Sequence, residues 1–210
     1  MKLFLSSLNI SPQLAPYFLE LVGKPAHKIR AALIQNAADV EEGPKKWVDA
    51  QREALEKYTG TLEIIDLNEY KNKRQGLREK LAAQDIIWVG GGNTYYLRWL
   101  LRETHADEII TELVQNDTVV YGGSSAGAIV AGPTLKYFET ADDPAKSPDV
   151  IFEGLQLTDD VVVPHTDNAL FSGVVDGIIE RLDADGFHTV PLKDSQALII
   201  DTKKHQHTIV

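Results

Sequence analysis

The stretch TVVYGGSSAGA, from Thr118 to Ala128, is the segment of this sequence that most clearly indicates the fold. Thr118–Tyr121 is rich in β-branched and aromatic residues and favours a strand. The residues from Ala126 to Ala131 are small and compatible with a helix. Between them, glycine and serine residues allow a sharp turn. A strand that turns directly into a helix is typical of an α/β fold.

Short apolar runs alternate with longer amphipathic ones along the rest of the chain, which predicts a parallel sheet covered by helices in one domain over residues 1–210. The predicted strands are Lys2–Ser6, Ile29–Ile34, Thr61–Ile65, Asp85–Val89, Thr118–Tyr121, Val161–Val163, Thr189–Leu192, Ala197–Asp201 and an edge strand His207–Val210. The predicted helices are Pro12–Val22, Pro44–Tyr58, Asn68–Ala83, Thr94–Glu103, Ala106–Gln115, Ala126–Ala131 and Ala169–Leu182. The aperiodic stretch Pro133–Thr158 is long enough to be a lid or a binding loop.

Composition excludes several classes of function. The net charge of −10 argues against nonspecific binding to nucleic acid or to an anionic membrane. The absence of cysteine excludes disulfides, thiolate zinc sites and a cysteine nucleophile. No apolar stretch approaches the roughly 20 residues that span a bilayer, and the N-terminus does not have the pattern of a signal peptide. We therefore expect a cytoplasmic protein, either a monomer or a homodimer.

The turn Gly123–Gly127 matches the pattern G-x-S-x-G with Ser125 at its centre. In a nucleophile elbow the serine lies on a strained turn between strand and helix, so small neighbours are needed. The N–H of Ala126, at the start of the helix, would then stabilise an oxyanion. The alternative is a glycine-rich turn of the kind found in nucleotide-binding domains.

A second glycine-rich turn, Gly90–Thr94, follows the predicted buried strand Asp85–Val89. Because parallel strands end at the same edge of a sheet, this turn could lie beside Ser125 and supply a second oxyanion donor, for which Gly92 is the best candidate. We expect Gly91, Asn93, Thr94 and Asn168 to contact the substrate. The alternatives are a phosphate-binding loop or a plain turn capped by Asn93 or Thr94. The sequence lacks G-x-G-x-x-G and a P-loop lysine, which makes the nucleotide site the weaker alternative.

A serine nucleophile needs a base, and His165 is the candidate because it follows the apolar strand Val161–Val163. A carboxylate normally orients such a histidine. Asp194 lies at the end of another predicted strand and is preferred, with Asp142 of the long loop as the alternative. Asp167, which is close to His165 in sequence, is a further candidate for this carboxylate.

Taken together, these motifs resemble the peptidase E family of serine dipeptidases specific for N-terminal aspartate, and their cyanophycinase relatives. The resemblance is carried by VGGGNT at Val89–Thr94, by the GxSAGA pattern at Gly123–Ala128 and by Pro164–Asn168. It implies a three-layer α/β/α fold like that of class I glutamine amidotransferases, with a mostly parallel, flavodoxin-like sheet.

The resemblance further implies Ser125 as nucleophile, His165 as base, and oxyanion donors at Gly92 and Ala126. The family places a glutamate where this chain has Asp194, and an aspartate of the loop after the elbow, here near Asp142, has also been assigned to the triad. No metal or cofactor is required.

One departure from the family concerns its arginines after the histidine motif, which suit a substrate carboxylate. Here Ala169–Gly177 contains no basic residue, and Arg181 is the first. Lys136 is a possible substitute. The predicted function is hydrolysis of a small peptide or amide, of which an N-terminal aspartyl dipeptide is one candidate. The alternatives are a cyanophycinase-like or other amidase, and a non-catalytic protein that binds a small molecule on the same fold.

Overall fold

The computed structural model describes residues 1–210, and a seven-stranded sheet forms its centre. The strands of the chain are β1 (Lys2–Ser6), β2 (Arg30–Ile34), β3 (Thr61–Ile64), β4 (Ile86–Val89), β5 (Val120–Ser124), β6 (Asp160–Val163), β7 (His188–Pro191), β8 (Ala197–Asp201) and β9 (Gln206–Ile209). The order in the main sheet is β3–β2–β4–β5–β1–β8–β9. The first five of these are parallel, and β8 and β9 are antiparallel additions at one side. The expected edge strand near the C-terminus is therefore confirmed as β9.

Helices cover both faces of this sheet. They are α1 (Ala15–Val22), α2 (Lys46–Glu56), α3 (Arg74–Ala82), α4 (Thr94–Glu103), α5 (Ala106–Gln115), α6 (Ala126–Ile129) and α7 (Val175–Ala184). Strand β4 shows why two layers are needed: Ile86 and Trp88 pack in the core beneath α1 and α2, whereas Ile87 and Val89 pack beneath the other helices. The predicted three-layer α/β/α fold is confirmed. No helix combines the length and the apolar character needed to cross a bilayer.

Strands β6 and β7 form a separate two-stranded parallel sheet rather than extending the main one. In this pair Val163 lies opposite Pro191, so both strands end at the same level. The carboxylate of Asp160 joins this small sheet to β9, because it contacts His188 Nδ1 and His207 Nε2, each at 2.7 Å. Burial alone would raise the pKa of Asp160, but these contacts outweigh it and lower that pKa.

Two predicted helices begin later in the structure because a capped 3-10 turn occupies their first residues. Just before the predicted helix Asn68–Ala83, Asp66 accepts a hydrogen bond from the Asn68 N–H and starts a 3-10 turn over Leu67–Tyr70. The left-handed backbone of Asn72 (φ 65°) then delays the helix to Arg74. Within Ala169–Leu182, a 3-10 turn capped by Asn168 ends at extended Ser172. In both places local capping outcompetes a continuous apolar periodicity.

Candidate active site

The turn after β5 has the geometry of a nucleophile elbow. Ser125 has φ 51° and ψ −117°, a combination that costs a residue with a side chain on the order of 1–3 kcal/mol. Its N–H donates to the Ser6 carbonyl of the neighbouring strand β1 at 3.2 Å, which holds the turn. Helix α6 begins at the next residue. The side chain of Ser125 is therefore presented at the carboxyl edge of the sheet, half-buried, at the start of a helix.

His165 lies within hydrogen-bonding distance of this serine. The residue follows β6, is 6% exposed, and places Nε2 2.9 Å from Ser125 Oγ. Its ring stacks on Phe171 with the ring centres 4.7 Å apart and an angle of 12° between the planes. A stacked, buried imidazole has few alternative orientations, so the packing keeps Nε2 directed at the serine hydroxyl.

Asp194 is the carboxylate that contacts the histidine. Its Oδ1 lies 2.6 Å from His165 Nδ1, and its Oδ2 accepts a hydrogen bond from Asn168 Nδ2 at 2.8 Å. The parallel pairing of β6 with β7 explains the contact, because Val163 lies opposite Pro191. His165 follows Val163 by two residues, and Asp194 follows Pro191 by three. An ionised Asp194 keeps the proton on Nδ1 and leaves Nε2 free to accept the hydroxyl proton.

The alternative, Asp142, makes no hydrogen bond to the histidine. Its Oδ2 accepts from the N–H and the hydroxyl of Thr94, at 3.0 and 2.5 Å, at the start of α4. Burial raises the pKa of Asp142 against the effect of these hydrogen bonds, and the nearby carboxylate of Glu41 raises it further. Asp167 does not pair with the histidine either. Its Oδ1 accepts a hydrogen bond from the N–H of Asp194 at 2.8 Å.

Ser7 is a site residue that the sequence reasoning missed. Its hydroxyl accepts a hydrogen bond from the His165 N–H at 2.8 Å and donates to Asp194 Oδ1 at 3.3 Å. It therefore links the backbone of the histidine to the carboxylate that contacts the ring. The available signal was its position directly after β1, at the edge where parallel strands bring functional residues together.

The glycine turn after β4 lies against Ser125. A Cβ atom on Gly91 would be 3.0 Å from Ser125 Cβ, and one on Gly92 would be 2.3 Å from the Ala37 carbonyl group. Gly92 also has φ 132°, which side chains disfavour. The N–H groups of both glycines donate no hydrogen bond within the chain. The N–H of Ala126, first in α6, likewise has no partner inside its own helix. Donors are thus available on two turns beside the serine.

Asn93 and Thr94 hold the long loop instead of facing a substrate. Both are almost fully buried, and neither lines the cavity beside Ser125. Asn93 caps α4 through Oδ1 and donates from Nδ2 to the Asp143 carbonyl at 2.9 Å, while Thr94 binds Asp142. The expectation that these two side chains contact the substrate is corrected for that reason. Asn168 does line the cavity, but its amide also binds Asp194.

A cavity of about 430 Å³ opens beside Ser125 and His165. Gly91 and Gly92 line it, and the long loop contributes Phe138, Ala141 and Asp142. The loop therefore forms part of the wall, as expected for a binding loop. This volume lies within the usual range of small-molecule sites.

The family model described as peptidase family S51 matches residues 4–208 of the chain. An uncharacterised peptidase of Listeria innocua is 31% identical over 180 residues, which cover 84% of this chain and 82% of that protein. Peptidase E of a Nostoc species is 38% identical over 92 residues, or 44% of this chain and 36% of that protein. A crystal structure from Listeria monocytogenes, provisionally described as a peptidase E protein, superposes with a TM-score of 0.86 at 28% identity, covering 100% of this chain and 97% of that one.

Proposed function

We propose that this chain, which belongs to peptidase family S51 and is a serine-type peptidase, hydrolyses a small peptide or amide through an acyl-enzyme on Ser125. The observation that carries the proposal is the continuous contact from Ser125 Oγ to His165 Nε2 at 2.9 Å and from His165 Nδ1 to Asp194 Oδ1 at 2.6 Å. This chain of contacts opens into a cavity of suitable size for such a substrate.

In the proposed mechanism, His165 Nε2 removes the proton of the Ser125 hydroxyl as Oγ attacks the scissile carbonyl carbon. The tetrahedral oxyanion accepts hydrogen bonds from the N–H groups of Gly92 and Ala126. The imidazolium, stabilised by Asp194, then donates its proton to the departing amine. Water attacks the acyl-enzyme with His165 again as base, which releases the acid and restores the serine.

The geometry around Ser125 supports this assignment over Ser124, the other serine of the turn. Ser124 is fully buried in β5, and its Oγ contacts Gln51 Nε2 and Trp88 Nε1 inside the core. It has no contact with a histidine and no position on the cavity wall. Only Ser125 combines a base within 2.9 Å with access to the cavity.

Labelling with a fluorophosphonate probe tests the proposal. The wild-type protein should be labelled on Ser125, Ser125→Ala should lose labelling and about 10⁶-fold of its peptidase rate, and its melting temperature should be retained. Ser124→Ala is the matched control and should still be labelled. Labelling that persists in Ser125→Ala, or a wild-type protein that is never labelled, would contradict the proposal; the second result is the one expected of a non-catalytic binding protein.

A further inference from the structure

The charged side chains that line the cavity beside Ser125 are acidic, apart from His165 itself. They are Glu41 and Glu42, in the segment before α2, and Asp142 of the long loop. No lysine or arginine lines the cavity. A cavity whose fixed charges are carboxylates attracts a cationic group and repels an anionic one.

One ammonium group compensates part of this negative charge from behind the wall. Lys146 Nζ lies 3.0 Å from Glu41 Oε2, and Lys146 does not itself line the cavity. Glu41 and Glu42 thus outnumber the one ammonium group beside them, whereas burial and the nearby charge of Glu41 raise the pKa of Asp142 and favour its neutral form. A cation that entered the cavity would reduce this excess of negative charge.

The basic residues that could have held a substrate carboxylate are engaged elsewhere. Arg181 Nε donates to the Gly177 carbonyl at 3.0 Å, and its guanidinium lies over the ring of Tyr137. Lys136 Nζ is 3.8 Å from Asp185 Oδ2 and outside the cavity. A carboxylate in a partly desolvated site needs such a partner, and a bidentate arginine is the usual one. The substrate carboxylate of an N-terminal aspartate would have none on the cavity wall.

The remainder of the wall is largely apolar. Phe138 and Ile129 line it as buried side chains, and Leu8, Trp47 and Leu170 line it as exposed ones. Leu170 is 88% exposed, which leaves its side chain available to a ligand. An apolar side chain on the substrate would bury this surface favourably.

We propose that the site accepts peptides whose first residue has a free α-ammonium group and an apolar side chain, and that it discriminates against N-terminal aspartate. The ammonium group binds at the carboxylates of Glu41 and Glu42, and the side chain packs on the apolar wall that includes Phe138. This inference rests on the proposed function, because it assigns the acyl side of the substrate that Ser125 attacks.

Three substrates that share the leaving group p-nitroaniline test the inference. They are leucine p-nitroanilide, aspartate p-nitroanilide and N-acetylleucine p-nitroanilide. We expect kcat/KM for the leucine compound to exceed that for the aspartate compound by at least about tenfold, since each 1.4 kcal/mol of discrimination is a factor of ten. Acetylation removes the charge of the ammonium group and should lower kcat/KM by a similar factor. An aspartate compound cleaved as fast as the leucine compound, or an acetylated compound cleaved as fast as the free amine, would overturn the inference.

Charge reversal at the cavity mouth gives a second measurement. Glu42 is exposed and forms no ion pair, so Glu42→Lys should leave the fold intact and raise the aspartate-to-leucine ratio of kcat/KM about fivefold. Glu53→Lys is the matched control, since Glu53 is an exposed residue of α2 that does not line the cavity, and its ratio should match the wild type. Equal ratios in Glu42→Lys and Glu53→Lys would count against the inference.

The labelling experiment separates this inference from the proposed function. If Ser125 is labelled by the fluorophosphonate but neither free aminoacyl compound is cleaved, the substrate assignment fails and the proposed nucleophile stands. If Ser125 is not labelled, the proposed function fails and the substrate assignment fails with it.

Discussion

The two edges of the main sheet differ in what their aspartates contact. At the carboxyl edge, Ser125 and His165 have strained or left-handed backbones, and Asp194 contacts an imidazole. At the amino edge, Asp85 precedes β4 and accepts hydrogen bonds from the side chains of Arg30 and Lys24, at 3.0 and 2.9 Å. The carboxyl edge thus carries left-handed backbone at Ser125 and His165, whereas the amino edge pairs its charges.

The ion pairs of the amino edge lower the pKa of the carboxylates that form them. Burial would raise the pKa of Asp85, but the hydrogen bonds and charges of Arg30 and Lys24 outweigh it and lower that pKa from its ordinary 3.8 to about 2. Asp117, at the same edge, also has a lowered pKa, through Lys203 and in spite of burial. Asp85 and Asp117 at the amino edge thus pair with cations, whereas Asp194 at the carboxyl edge contacts an imidazole. Three substitutions test this comparison of the two edges.

The largest effect is expected at the carboxyl edge, from Asp194→Asn. An amide in place of this carboxylate can donate to His165 Nδ1 and favour the wrong tautomer, so we expect a loss of about 10³- to 10⁴-fold in kcat. The measurement is the rate of peptidase turnover and of fluorophosphonate labelling. Asp142→Asn should slow labelling far less, and a larger loss there than in Asp194→Asn would instead assign the third triad position to Asp142.

The matched aspartate-to-asparagine change at the amino edge should affect stability and leave catalysis alone. Because the folded pKa of Asp85 is depressed, its stabilisation is complete above the unfolded value of 3.8 and disappears as pH falls through about 2. At pH 7 we expect Asp85→Asn to lower the free energy of unfolding by about 2 kcal/mol, with kcat unchanged. Urea unfolding of both proteins between pH 7 and pH 2 checks this; a difference that stays constant over that range would refute the pKa-linked explanation.

The smallest effect concerns the strain at Ser125. Glycine tolerates φ 51° and ψ −117° better than alanine does, and neither residue carries a nucleophile. Ser125→Gly should therefore be more stable than Ser125→Ala by about 1 kcal/mol, while both are inactive. Thermal unfolding of the two variants side by side measures the strain less the extra backbone entropy of glycine, without any contribution from the lost hydroxyl. Because glycine loses about 0.5–1 kcal/mol more backbone entropy on folding than alanine does, an alanine variant more stable than the glycine variant by that amount would show that the elbow stores no strain.

Much of the fold was predictable because its signals are local. Helices α4 and α5 have the predicted bounds, Thr94–Glu103 and Ala106–Gln115, since a turn residue precedes each and the apolar period is regular. The continuous apolar run of β4 indicated a strand buried on both faces, as found. The predicted helices that include Asn68 and Ala169 were too long, because periodicity alone does not reveal the caps made by Asp66 and Asn168.

The sequence by itself determined the candidate nucleophile. The small residues around Ser125 are needed by its own turn, so the signal lies within a few adjacent positions. It also singled out His165, which directly follows an apolar strand. It left Asp194 and Asp142 as alternatives, since both lie in segments that reach the same edge.

Only the tertiary structure decided which carboxylate contacts His165. That choice depends on the pairing of β6 with β7, which brings together residues 29 positions apart, and on the capture of Asp142 by Thr94. Ser7, which is 158 positions from His165 along the chain, enters the site for the same reason. Strand pairing between distant segments is set by the packing of the whole core, and no local pattern in the sequence encodes it.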